Sequence, residues 1–115
     1  RVSELETYGP EDTIFEEGDM GDALYVVVRG KVEIRHAGER LASLGAGEAF
    51  GEMAVLDASP RSATAVAVEP TEVLRIGSEE FYEVLHEQVE IAEGVIRMLS
   101  RRLREANQNV DTDKH

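Results

Sequence analysis

Residues 50–66 read Phe-Gly-Glu-Met-Ala-Val-Leu-Asp-Ala-Ser-Pro-Arg-Ser-Ala-Thr-Ala-Val and place Glu52 nine positions before Arg61, between apolar flanks. Gly51 has no Cβ, so the backbone there can approach a ligand closely. Residues 52–56 are long enough for about a turn and a half of helix. The first amides of such a helix have no partner within it and point toward any anion at its end. The stretch therefore predicts a binding site.

The second half of the stretch predicts how Arg61 reaches that site. Pro60 cannot continue a helix, and residues 62–68 alternate small polar and apolar side chains as a strand does. Arg61 is thus expected at a strand edge, directed toward the helix N-terminus. An arginine at a helix N-terminus suits a phosphate, and a carboxylate beside it, here Glu52, suits a ribose hydroxyl. The implied ligand carries both groups.

The stretch resembles the phosphate-binding cassette of cyclic nucleotide-binding domains, a family found in bacterial catabolite activators and in cyclic-nucleotide-dependent kinases and channels. Residues 17–34, Glu-Gly-Asp-Met-Gly-Asp-Ala-Leu-Tyr-Val-Val-Val-Arg-Gly-Lys-Val-Glu-Ile, resemble the family's other recurring segment. The resemblance covers roughly residues 8–107. It implies that Glu52 binds the ribose 2′-hydroxyl and that Arg61 pairs with the cyclic phosphate. The other ligand-binding residues expected in the cassette are Phe50, Gly51, Met53, Ala54, Ser62 and Ala63.

The resemblance also implies a ligand. Kinase domains of the family that prefer cyclic AMP have alanine directly after the phosphate arginine, and those that prefer cyclic GMP have threonine. Bacterial activators have serine there, as Ser62 does here, and bind cyclic AMP. We therefore expect cyclic AMP to be favoured, with some cyclic GMP binding, although Ser62 can instead satisfy a backbone group. Polar residues after an Arg-Arg-Leu run contact the purine in the bacterial proteins, which points to Asn107 here.

Composition limits the function classes. The 115 residues suffice for one domain, residues 1–115, but not for a separate effector, which is expected outside this chain. The chain has no cysteine, no apolar run long enough to span a bilayer and no signal-peptide pattern, which predicts a cytoplasmic location and no membrane segment. A formal net charge of −12 disfavours direct contact with nucleic acid. The chain also starts without the helical segment that usually precedes the first strand in this family, as if trimmed.

Short apolar runs separated by turn residues predict seven or eight strands. Residues 24–28 and 31–35 flank Arg-Gly and predict a hairpin, and further strands are expected at residues 13–15, 41–44, 64–68 and 73–76. This pattern predicts a mainly β protein with C-terminal helices, built as a double-stranded β-roll, or jelly roll, over about residues 8–77.

The C-terminal part predicts two helices over about residues 78–110. Ser78 is suited to an N-cap, and a longer helix is expected from about Val89 to Asn107. Apolar side chains at alternating three- and four-residue steps predict a heptad-like seam, and hence a homodimer through this helix. The expected seam comprises Val95, Leu99, Arg102, Ala106 and Val110, while Ile91, Met98 and Leu103 are expected to face the roll.

Other interpretations fit the residues less well. The acidic, glycine-containing segment at residues 17–22 lacks the ligand series of an EF-hand calcium site, and His36, His86 and His115 occur singly, so no metal or cofactor is expected. No nucleophile–base pair stands out near the cassette, so no catalytic residue and no enzyme activity are expected. Three alternatives remain open. One is a structural or dimerising roll without a nucleotide, and another is that Arg61 forms a surface salt bridge with Asp57 or Glu52. The third is that the long C-terminal helix packs on its own roll instead of pairing, and frays after Arg104.

Overall fold

The computed structural model describes residues 3–114, and their side chains over residues 4–105. The strands of this described part are β1 (Ser3–Tyr8), β2 (Thr13–Phe15), β3 (Ala23–Arg29), β4 (Val32–His36), β5 (Glu39–Leu44), β6 (Ala49–Phe50), β7 (Thr64–Ala67) and β8 (Thr71–Gly77). The helices are α1 (Glu52–Asp57), α2 (Ser78–Glu87) and α3 (Val89–Lys114). The predicted mainly β architecture with C-terminal helices is confirmed.

The strands form two antiparallel sheets of four strands each. One sheet has the order β1-β8-β3-β6 and the other has the order β2-β7-β4-β5. Their buried side chains come from both sheets and meet in one apolar cluster, because each strand turns alternate residues toward the other sheet. The cluster consists of Tyr25, Val27, Val32, Phe50, Ala65 and Val73. The cassette residue Phe50 is therefore part of the core that holds the two sheets together.

The predicted hairpin between β3 and β4 is wrong. β3 pairs with β6 and β8, whereas β4 pairs with β5 and β7, so the two strands belong to different sheets. Gly30, at a φ of 103°, carries the chain from one sheet to the other, and Lys31 N donates to the Thr71 hydroxyl at 3.1 Å. β8 occupies the place beside β3 because it buries Val73 completely there. Strand propensity and a glycine turn do not specify which strand becomes the partner.

The chain forms two compact units, the first ending at Glu80 and the second beginning at Phe81. The first unit contains both sheets, α1 and the first residues of α2, and the second contains the rest of α2 and α3. The division of a single domain into a roll over about residues 8–77 and helices over about residues 78–110 stays a prediction. Within the part of the chain that the structure describes, no helix has the length and apolar character needed to cross a bilayer.

α3 begins at Val89 as predicted and continues to Lys114, past the expected end at Asn107. Among the side chains of α3 that the structure describes, the most exposed apolar ones are Val89, Ile96 and Leu103, at 64%, 62% and 64% exposure. They lie seven residues apart, which is the spacing of one position in a heptad repeat. An exposed apolar row of this kind runs along α3.

This row differs from the seam expected from the sequence. Val95 and Leu99, which were expected in the seam, are partly buried. Leu103 and Ile91, which were expected to face the roll, are 64% and 43% exposed. Apolar residues spaced three and four positions apart show that a helix has an apolar face. When that face is wide, the spacing does not show which of its residues are buried. The remaining expected seam residues, Ala106 and Val110, have side chains outside the described residues.

Candidate functional site

The cassette helix forms as the sequence predicts. α1 starts at Glu52, directly after Gly51, whose φ of 82° and ψ of 8° lie in the left-handed region that glycine adopts without a steric penalty. α1 ends at Asp57, where Ala58 also takes a left-handed conformation with φ 58°. The first amides of any helix precede its i to i−4 hydrogen bonds and point out of its N-terminus, and the helix dipole adds positive potential at that end.

Arg61 lies inside the roll rather than on the surface. Only 6% of the residue is exposed, so it is not the surface salt bridge that the sequence left open. Its Nη1 donates to the Gly51 carbonyl at 2.9 Å and its Nη2 donates to the Ala23 carbonyl at 2.8 Å. Gly51 immediately precedes α1, so the guanidinium reaches the helix N-terminus, as the spacing of the cassette predicts.

The main chain of Arg61 is also held by hydrogen bonds. Arg61 N donates to the Asp19 carbonyl at 2.7 Å, and Gly18 N donates to the Arg61 carbonyl at 2.8 Å. The Asp19 side chain in turn accepts from Glu16 N at 3.0 Å and closes the loop on itself. This acidic loop therefore serves as a main-chain clamp for Arg61. Across the described residues, no cluster of three His, Cys, Asp or Glu side chains is arranged to hold a metal ion.

The guanidinium is a desolvated cation whose described hydrogen bonds go to neutral carbonyls. Its Nε atom is buried and has no hydrogen-bond partner among the described residues. Burial lowers the pKa of the Arg61 guanidinium, while nearby Tyr25 and Asp22 oppose that effect. Arginine nevertheless stays protonated in proteins, so the charge remains. An anion placed beside Nε would offset the desolvation cost and satisfy the open donor.

The other predicted site residues differ in how much of each is exposed to solvent. Glu52 and Ala54 are each 5% exposed in the first turn of α1, whereas Met53, between them, is 51% exposed. Ser62 is exposed, directly after the buried arginine. Phe50 and Ala63 are 3% and 7% exposed and fill space beside the site. The side chain of Asn107 lies outside the described residues.

Sequence reasoning missed several residues that shape the arginine site. Phe15 lies with its ring centroid 4.1 Å from Arg61 Cζ, and Ala23 supplies a carbonyl acceptor. Gly21 lies so close that a Cβ placed on it would overlap the guanidinium. These residues come from β2, β3 and the loop between those strands, far from the cassette in sequence. The resemblance of residues 17–34 to a recurring family segment pointed to the region of Gly21 and Ala23 but did not identify their contacts. Phe15 lies outside that segment.

Comparison with known proteins decides the family. Residues 5–88 match the family described as "Cyclic nucleotide-binding domain". This chain is a member of that family. The domain is 48% identical over 103 residues to a Thermus thermophilus protein named "Cyclic AMP receptor protein", and 41% identical over 81 residues to a "cGMP-dependent protein kinase" of Toxoplasma gondii. Those alignments cover 85% and 70% of this chain.

A solved structure extends the likeness to three dimensions. The domain matches the "Crystal Structure of Thermus thermophilus Catabolite Activator Protein" with a TM-score of 0.88 and 42% identity, over 95% of this chain and 54% of that one. The β-roll fold of the family is therefore confirmed. The chain spans 48% of the Thermus relative's length and 8% of the kinase's length.

We predict that Gly51→Ala lowers the free energy of unfolding more than Gly47→Ala does. Both glycines have left-handed φ angles, 82° and 88°, so an alanine at either position costs about 1 kcal/mol in backbone strain. A Cβ on Gly51 would also lie 2.8 Å from Arg61 Nη1, whereas a Cβ on Gly47 would meet nothing within 4 Å. Urea unfolding of the two variants measures the difference. Equal losses would contradict the tight packing of Arg61 against the start of α1.

Proposed function

We propose that this domain is a regulatory module that binds a cyclic nucleotide, with cyclic AMP favoured over cyclic GMP, and passes the signal through its C-terminal helices to an effector outside this chain. The observation that carries the proposal is the buried Arg61, held at the N-terminus of α1 by the Gly51 carbonyl at 2.9 Å. A protein that desolvates a cation beside the N-terminus of a helix provides a favourable place for an anion. A cyclic phosphate supplies that anion.

The proposal, together with the family resemblance, assigns a role to each of the predicted site residues. Arg61 and the first amides of α1 bind the cyclic phosphate, and the buried Glu52 accepts a hydrogen bond from the ribose 2′-hydroxyl. Ser62 adds its hydroxyl to the phosphate, and the exposed Met53 contributes mainly its amide. Phe50, Gly51, Ala54 and Ala63 complete the walls, and Asn107 contacts the purine.

The choice of cyclic AMP rests on two features. Ser62 follows the phosphate arginine, where the family resemblance associates serine with cyclic AMP binding in bacterial activators, and the Thermus relative is named for cyclic AMP. The likeness to a kinase named for cyclic GMP keeps cyclic GMP as the second ligand. The proposal requires no metal, cofactor or catalytic step, and it assigns the domain a binding function in the cytoplasm without direct contact to nucleic acid or membrane.

A short chain of hydrogen bonds supports the transmission of a signal from the phosphate site. Arg61 Nη2 donates to the Ala23 carbonyl, and the carbonyl of the preceding residue, Asp22, accepts from Ser78 N at 2.8 Å. Ser78 is the first residue of α2. A ligand that displaces Arg61 would therefore act on Ala23, the residue next to Asp22, whose carbonyl binds the first amide of α2.

The alternative function is a structural or dimerising roll that binds no nucleotide. The buried Arg61 argues against it, because a roll without a ligand gains more from an apolar side chain at that position than from a desolvated charge. The formal net charge of −12 also opposes an anionic ligand at long range. The local cation and amides therefore have to provide the affinity.

We predict that Arg61→Ala abolishes measurable binding of cyclic AMP while the domain stays folded. The substitution removes the charge that pairs with the phosphate, and the loss is on the order of several kcal/mol. Glu52→Gln weakens binding less, since an amide oxygen still accepts from the ribose. Isothermal titration calorimetry measures both effects, and circular dichroism checks the fold.

Arg29→Ala is the matched control, because the side chain of Arg29 is 79% exposed and makes only a long ion pair of 3.6 Å with Glu72. It should bind cyclic AMP like the parent chain. Tight binding by Arg61→Ala would exclude the proposed site.

We predict that calorimetric titration ranks cyclic AMP above cyclic GMP, and both above non-cyclic AMP. Ser62→Ala should weaken cyclic AMP binding severalfold if its hydroxyl contacts the phosphate. A tenfold preference for cyclic GMP, equal to about 1.4 kcal/mol, would overturn the ligand assignment but leave the family unchanged.

The proposed purine contact has its own test. Unchanged affinity for cyclic AMP in Asn107→Ala would remove that residue from the purine site.

We also propose that α3 pairs with a second copy of the chain along the exposed row Val89, Ile96 and Leu103. A row of this spacing supplies one of the two apolar positions of each heptad that form the seam of a two-stranded coiled coil. Leu103→Glu is expected to convert a dimer into a monomer in sedimentation experiments with and without cyclic AMP. Leu41→Glu, at a similarly exposed leucine on β5 with 61% exposure, should leave the dimer intact. A parent chain that stays monomeric at high micromolar concentration in both states would rule out the pairing.

A further inference from the structure

The guanidinium of Arg61 lies against an aromatic ring. Its Cζ is 4.1 Å from the ring centroid of Phe15 and 5.8 Å from that of Tyr25. Cation–π attraction acts within about 6 Å and strengthens when the cation is desolvated, as this one is. The Phe15 ring is itself fixed by Tyr25 and Phe50, whose centroids lie 5.8 and 5.9 Å away. The cation therefore rests on a ring that is packed against two other aromatic rings.

Gly21 provides the space in which the guanidinium lies. A Cβ at this position would overlap Cζ and Nε of Arg61, so any side chain would displace the cation from the ring. The backbone of Gly21 has no left-handed φ, so its close approach to Arg61 and not its conformation calls for glycine. Gly21 belongs to the same loop whose residues Gly18 and Asp19 hold the main chain of Arg61.

From these contacts we infer that Phe15 and Gly21 are positioning residues for the phosphate arginine. The Phe15 ring orients the guanidinium, and the missing side chain of Gly21 lets it stay there. This inference rests on the proposed binding of a cyclic nucleotide, and it assigns to β2 and the following loop a part in affinity that the cassette alone does not supply.

In this inference, the phosphate binds Arg61 while the guanidinium is stacked on the ring of Phe15. Nη1 and Nη2 donate to carbonyls just before α1 and in β3, respectively. These two hydrogen bonds set the plane of the guanidinium at the N-terminus of α1. Nε remains open, and it is buried beside Gly21. A phosphate arriving there finds the arginine already ordered, so binding avoids the entropy cost of immobilising a long side chain.

The stack itself is tested without any ligand. Protons that lie over an aromatic ring resonate upfield, so the Nε–H of Arg61 is expected to be displaced upfield among the arginine signals of a proton–nitrogen NMR spectrum. Arg61→Lys identifies the signal by removing it. Phe15→Leu should abolish the displacement, and Phe15→Tyr, which keeps the ring, should retain it. A signal that is undisplaced, or unchanged in Phe15→Leu, would overturn the inference.

Measurements of cyclic AMP affinity test whether Phe15 and Gly21 contribute to ligand binding. Phe15→Leu is expected to weaken cyclic AMP binding about tenfold, because the cation loses its aromatic contact, and Phe15→Tyr should restore most of the affinity. Gly21→Ala should also weaken binding, whereas Gly45→Ala is the matched control, since a Cβ on Gly45 would meet nothing within 4 Å. Thermal unfolding of each variant checks the fold.

The outcomes separate this inference from the proposed function. If the parent chain fails to bind cyclic AMP and cyclic GMP, the proposed function is overturned, and the NMR signal alone reports whether the stack exists. If the parent chain binds but Phe15→Leu and Gly21→Ala bind equally well, the positioning role is wrong and the proposed function stands. Loss of affinity in Phe15→Leu that Phe15→Tyr does not restore would also reject the aromatic contact.

Discussion

A charged guanidinium buried inside a small β-roll is the constraint on which the site depends. Arg61 is 94% removed from solvent, and the described hydrogen bonds of its fork go to carbonyls from α1's N-cap residue and from β3. Desolvation of a charge is costly, so the surrounding chain has to supply dipoles, a ring face and space. The left-handed turn at Gly51, the bare Cα of Gly21 and the ring of Phe15 each meet one of these needs.

The same constraint explains how an acidic protein can select an anion. With a formal net charge of −12, the long-range field repels a phosphate. Inside the roll, however, the buried cation of Arg61 lies beside the N-terminus of α1, and such interactions are stronger at a low dielectric constant than in water. Recognition is therefore local, and the acidic surface does not have to change for the site to work. The bond from Ser78 N to the Asp22 carbonyl places the start of α2 beside this local site.

Much of the secondary structure followed from short-range pattern. The helix at residues 52–56, the strand after Pro60 and the start of α3 at Val89 were predicted within a residue or two, because turn residues and periodicity act over a few positions. The partner of β3 was not predicted. Strand pairing depends on which apolar faces fit together, and β8 gains its place by burying Val73, more than 40 residues further along the chain.

The sequence by itself determined that Arg61 reaches the N-terminus of α1, because only ten positions separate it from Gly51 and the glycine and proline between the elements direct the chain. Family membership was also readable from that segment. Tertiary structure alone decided what surrounds the cation. The Ala23 carbonyl lies 38 positions from Arg61 in sequence, and Phe15 and Gly21 lie further still. Such contacts arise from the packing of two sheets around a shared core, and no local pattern encodes that packing.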